Sequence, residues 1–174
     1  MTTDFALHAV LGLIPVCCFL AALIYLDSYK LVPLRWILGT IVLGCGMAVL
    51  SYPVNVAGLK LLNLDFISYT RYVSPVIEEF LKAIIIFVLV RTNRIGFLVD
   101  AAIFGFAVGA GFAIFENIFY LQALADTQLG TWIVRGFGTA IMHGGAAAIL
   151  AVTSEALAGK DPTKRYIMYL PGFV

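Results

Sequence analysis

The segment Pro75-Val-Ile-Glu-Glu-Phe-Leu-Lys82 places two adjacent carboxylates and an ammonium at the head of a run that is otherwise apolar through Val90. An ionisable group in a lipid-embedded helix costs at least about 2.5–3.5 kcal/mol on insertion scales, so such groups turn toward a protein interior or a water-filled cavity. On a helix, residues three and four apart share a face while neighbours diverge by roughly 100°. Glu78 and Glu79 are therefore both within reach of Lys82, yet they point in different directions. We read one of them as held by Lys82 in an orienting ion pair and the other as left to handle a proton or bind a metal. Two further stretches carry groups of matching chemistry. Glu116-Asn117 lies near the end of another apolar run, and His143 sits among glycines and alanines, following Arg135.

A Glu/Glu/His set inside a membrane suits two versions of peptide-bond hydrolysis. In one, a divalent metal, zinc by preference, is held by His143 and a carboxylate, Glu79 or Glu116; it activates water while the remaining glutamate acts as base. In the other no cofactor is needed: Glu and His activate water directly, and Asn117 or another donor stabilises the oxyanion. A single histidine is a weak match to the three protein ligands of a catalytic zinc, which favours the metal-free version for this sequence. The His-Glu-x-x-His pattern is absent, so the usual zincin helix is excluded.

These residues must be positioned by membrane-spanning helices. The chain is 62% apolar and 12% charged, against roughly 25% charged in a soluble domain. A net charge of +1 and the lack of a basic run exclude a nucleic-acid partner. Cys17, Cys18 and Cys45 lie in apolar stretches without metal-ligand spacing and read as small hydrophobes. The predicted fold is an all-α, polytopic transmembrane bundle, one domain over residues 1–174, with about five full spans and the start of a sixth. The spans are Phe5–Leu26, Trp36–Tyr52 (stopped by Pro53), Pro75–Val90, Ile95–Leu121 and Trp132–Ala158. Residues 53–74 read as an interfacial amphipathic segment, and His8 as a solvated interfacial group. Gly96, Gly105, Gly109 and Gly111 offer small-residue faces for close helix approach.

Cytoplasmic loops are enriched in Lys and Arg. Lys30, Arg35, Arg91, Arg94, Lys160, Lys164 and Arg165 fall on one side of these spans, and Lys60, Arg71 and Arg135 on the other. The N-terminus is thus expected outside the cell membrane. With that sign, and a rise of about 1.5 Å per residue, Glu79 and Glu116 lie roughly one to two turns below the outer face and His143 two to three. Three residues distant in sequence converge in the outer leaflet. The competing reading is a proton-coupled transporter or non-catalytic scaffold using the same cluster, but a transporter is expected to carry internal repeats, and none is visible.

The motifs also resemble a known family. Glu78-Glu79-Phe-Leu-Lys82, then Phe112-Ala-Ile-Phe-Glu116-Asn117 with Tyr120, then Arg135 and His143 look like the PrsW family of intramembrane proteases, related to the prenyl-protein (CAAX) proteases. The match covers residues 75 to about 150. It implies cleavage of membrane-anchored regulators, including anti-sigma factors, near the outer face of the bilayer. It also implies catalytic roles for Glu79, Glu116 and His143, with Glu78, Lys82, Asn117 and Arg135 in support. Family members usually carry one more helix with a further histidine, and residues 165–174 read as its entry, so the 174-residue chain is expected to be weakly active or inactive without a continuation.

The orientation makes a direct prediction. Single cysteines at Val76 and Tyr120, in a background lacking Cys17, Cys18 and Cys45, should react with membrane-impermeant thiol reagents added outside; labelling from the cytoplasmic side alone inverts the topology.

Overall fold

A computed structural model describes residues 2–26, 32–123 and 128–158, and these residues are almost entirely helical, with no strand among them. The elements are α1 (Thr2–Leu26), α2 (Leu34–Leu62), a short α3 (Phe66–Ser68), α4 (Ser74–Arg91), α5 (Leu98–Ala123), α6 (Leu129–Thr139) and α7 (Ala146–Ala158). A π turn, Tyr69–Val73, joins α3 to α4, and a second, Ala140–Gly145, joins α6 to α7 into one continuous rod. Four helical stretches are long and apolar enough to cross a membrane: Leu7–Tyr25, Leu34–Leu62, Leu98–Ala123 and Leu129–Leu157. With the family assignment below, this makes the chain a multi-pass membrane protein. The sequence-based expectation was about five spans. The fifth, α4, is outside this set, since its 18 residues include Glu78, Glu79, Lys82 and Arg91. The expected start of a sixth span lies outside the described residues.

Helix α5 is the axis of the bundle. Nearly every residue from Asp100 to Ala113 is buried, as a helix that is apolar all round requires, and α1, α2, α4, α6 and α7 pack about it. Close approach depends on small residues. A Cβ on Gly44 would collide with the Val108 carbonyl, and one on Gly111 with the Ile41 carbonyl, so α2 and α5 meet backbone to backbone. The Cys45 thiol donates to the Gly111 carbonyl at 3.1 Å in the same crossing. Helix α4 instead shows two faces: Leu81, Lys82, Ile85, Ile86, Leu89 and Val90 point inward, while Phe80, Ile84 and Val88 are exposed.

One boundary and one burial differ from expectation, and one irregularity is added at Pro75. Pro53 does not end α2, which runs through it to Leu62 and stops at Asn63 in the left-handed region (φ 50°). A proline deletes one backbone donor, a loss that transmembrane helices tolerate when neighbours hold the chain; here Tyr52 packs on Phe119 (ring centroids 6.3 Å) and Asn55 bonds Tyr69. Residues 53–62 are thus a helical continuation. Pro75, in the first turn of α4, has no N–H for the preceding turn and crowds it, and the helix widens there into the first π turn. His8 is buried, its ring 5.8 Å from that of Trp132, where a solvated position was expected.

The backbone crossing yields a stability prediction. Gly111→Val should force α2 and α5 apart and cost at least about 1–3 kcal/mol, the usual range for overpacking, read as a lower unfolding temperature in detergent. Gly39→Ala, with open space around it, should leave that temperature unchanged.

Candidate functional site

Four charged side chains and one imidazole form a continuous chain across α4, α5 and the α6–α7 rod. Lys82 is fully buried (0% exposed), and its Nζ lies 2.6 Å from Glu79 Oε1 and 2.7 Å from His143 Nδ1. His143 Nε2 lies 2.5 Å from Glu116 Oε2. Glu116 Oε1 faces Arg135 Nη2 at 3.5 Å, and the Arg135 guanidinium stacks 4.0 Å over the Tyr120 ring. A lysine ammonium is a donor only, so His143 Nδ1 must accept from it. The ring hydrogen is therefore on Nε2 and is donated to Glu116. Lys82 thereby selects the tautomer, and the Phe112 ring, 5.0 Å from the imidazole and 4.5 Å from Nζ, fixes both laterally.

The second π turn explains how Arg135 and His143 reach the same carboxylate. In a regular α-helix, positions eight apart are rotated by about 80° relative to one another. A π turn closes i→i+5 and adds a residue to the turn, slowing that rotation. Its carbonyls also bulge toward α5: a Cβ on Gly109 would collide with the His143 carbonyl. Gly109 is thus the seat on which the site histidine rests.

The two adjacent glutamates part company. Glu79 is the one held by Lys82. Glu78 accepts from the Ser74 hydroxyl at 2.8 Å and lines a cavity of about 390 Å³ between α2, α4 and α5. Glu116 borders the same cavity, with Phe112, Tyr120, Tyr52 and Asn55. Water, a peptide bond and an apolar side chain fit a space of that size and character.

Asn117 behaves differently from the oxyanion donor considered above. It is fully buried (0% exposed), and its Nδ2 is committed to the Gly12 carbonyl at 3.0 Å and to Thr139 Oγ1 at 2.9 Å. The Thr139 hydroxyl in turn donates to the Arg135 carbonyl at 2.8 Å. With both donors spent on α1 and α6, Asn117 braces helices and does not face the cavity. Asp100 is likewise structural, its Oδ2 accepting from the backbone of Gly96 (3.4 Å) and Phe97 (3.2 Å) at the start of α5.

The metal candidates were Glu79, Glu116 and His143. Among the described residues, no three His, Cys, Asp or Glu side chains are grouped to hold an ion. His143 and Glu116 are bonded to each other, and a buried ammonium stands against the other ring nitrogen. That donor set does not fit the three protein ligands of a catalytic zinc. Sequence reasoning missed Ser74, Thr139 and the π turn, while Gly109 was read as a packing glycine and is one. Only Ser74 left a readable signal, its spacing of four residues before Glu78.

The sequence model of one family, PrsW-protease (PrsW family intramembrane metalloprotease), matches residues 32–174. The chain belongs to that family, and it is accordingly an intramembrane protease. No curated protein and no solved structure matches the chain.

The bracing role of Asn117 is testable. Asn117→Leu leaves the Gly12 carbonyl without its side-chain donor and should cost about 1–3 kcal/mol, seen as a lower unfolding temperature; an unchanged temperature with lost cleavage would return Asn117 to the chemistry.

Proposed function

We propose that this PrsW-family protease hydrolyses peptide bonds of a membrane-anchored protein with water activated by Glu116 and His143. The observation that carries the reading is the 2.5 Å bond between His143 Nε2 and Glu116 Oε2 at the edge of a cavity that Glu78 also lines. Across the cluster, Lys82 balances Glu79 and Arg135 balances Glu116. Glu78 is the carboxylate left with a neutral partner, Ser74. It is therefore the second proton-handling group: with Glu116 it brackets a water that attacks the scissile carbonyl, and it passes a proton to the leaving amine. In this reading Glu79 holds Lys82, and Lys82 holds the His143 tautomer. The resemblance alone had put Glu79 ahead of Glu78, and the cavity lining supports the reverse order.

The described donors do not fit a metal, so no step is routed through one. The charge distribution of the loops supports a site in the outer leaflet with the N-terminus outside. Family resemblance supports a regulator of the anti-sigma-factor type as substrate.

Glu116→Gln and His143→Ala should each lower cleavage of a co-expressed membrane-anchored substrate by about 10²–10⁴-fold while the protein remains inserted. Glu78→Gln should do the same with an unchanged unfolding temperature, whereas Glu79→Gln should lower that temperature as well, because Lys82 loses its buried counter-ion. Cleavage that survives both Glu116→Gln and His143→Ala rules out the reading. Chelators should leave cleavage intact; stoichiometric zinc, whose removal abolishes cleavage and whose return restores it, would overturn the metal-free route.

A further inference from the structure

We infer that Asn55 donates the hydrogen bond that holds the scissile carbonyl oxygen, an inference that rests on the protease reading above. When water adds to a peptide, its oxygen bonds to the carbonyl carbon, its proton passes to a carboxylate and the carbonyl electron pair becomes an oxyanion. That oxygen needs a donor, and no Lys, Arg or His is among the residues that line the cavity.

The neutral polar groups of the cavity can be taken one at a time. The Ser51 hydroxyl donates to the Ala48 carbonyl at 2.8 Å and the Ser74 hydroxyl to Glu78. Tyr120 and Tyr52 carry hydroxyls that no hydrogen bond among the described residues anchors; the Tyr120 ring lies beneath Arg135, and Tyr52 is largely exposed. Asn117, the earlier candidate, has spent both its donors elsewhere.

Asn55 differs from all of these. Its Oδ1 accepts from the Tyr69 hydroxyl at 3.1 Å, which turns its NH₂ group away from Tyr69. Among the described residues, Tyr69 is its one hydrogen-bond partner, and Asn55 lines the cavity that holds Glu78 and Glu116. Tyr69 is itself closely packed: it is buried (2% exposed) in the first π turn, and it reaches α2 at Gly58, where a Cβ would collide with its hydroxyl. Tyr69 is thus a positioning residue for the amide. A donor aimed in advance at the site of developing charge needs no reorganisation during the reaction. The peptide then lies between the carboxylates of α4 and α5 on one side and the α2 amide on the other.

The test uses the full-length protein, reconstituted with a membrane-anchored substrate. In Asn55→Ala and Asn55→Leu, kcat should fall about 10²-fold with KM unchanged, because the bond strengthens only as the oxyanion forms. The Leu variant keeps the volume and adds no charge beside Glu78 and Glu116, which separates loss of the donor from packing. Tyr69→Phe should lower kcat less, and its effect should not add to that of Asn55→Ala. A binding measurement without turnover is a second readout. Asn55→Ala should lose affinity for a substrate-derived peptide ketone that binds as its tetrahedral hydrate, and should keep affinity for the matching uncleaved amide. Wild-type kcat and ketone affinity in Asn55→Leu, or a fall of kcat with a raised KM and a lower unfolding temperature in that variant, make Asn55 structural and overturn the inference. Cleavage equal in wild type and Glu116→Gln instead sinks the protease reading, and this inference with it.

Discussion

A fully buried ammonium constrains everything around it. Lys82 sits at 0% exposure in an apolar bundle, where an unpaired charge would be prohibitive and the removal of one partner of a buried pair typically costs about 3–5 kcal/mol. Its partners come from two directions: Glu79 from its own helix and His143 from the α6–α7 rod, with the Phe112 ring of α5 beneath. Satisfying one charge thus ties three helices together. The same contacts set the imidazole tautomer, so the group that holds the bundle in register also prepares the histidine for its partner Glu116.

That arrangement tolerates little slack, and the backbone contacts of α5 explain why it has little. At Gly111 and Gly109 the neighbouring helix is held off by main-chain atoms alone. Without a hydrophobic driving force between helices in lipid, such close packing and interhelical hydrogen bonds carry the association. Asn117 adds a polar brace from α5 to α1 and α6. The result is a rigid frame around a cavity, with acid–base groups on rigid helices that hold them in place better than loops would.

The two π turns are the irregularities in that frame, and both lie where the site needs a change of register. One sets Tyr69 against α2 ahead of the paired glutamates, and the other carries His143. Interrupted helical geometry is tolerated at membrane depth only where it is buried in protein or lines a cavity, and these turns meet that condition. They give the helical bundle local shapes that straight helices could not provide.

The sequence by itself determined the class of the protein and the candidate residues of its site. The apolar runs dictate membrane helices because lipid leaves backbone groups no other partner, and intramembrane Glu78, Glu79, Lys82, Glu116 and His143 stand out because each is costly unless it is used. Helical spacing also showed that Lys82 could hold just one of the two glutamates in line. What spacing could not decide was which one, since both offsets lie within reach of a lysine; the packing of α4 against α5 and the rod turned Glu79 to Lys82 and Glu78 to the cavity. Asn117 looked like an oxyanion donor because its partners, Gly12 and Thr139, are remote in sequence and no local pattern reveals them. Pro53 read as a stop because local propensity says so, and tertiary contacts at Tyr52 and Asn55 carried the helix past it. The π turn at His143 was invisible for a similar reason: it depends on how closely a neighbouring helix approaches at Gly109, and that is a property of two segments together.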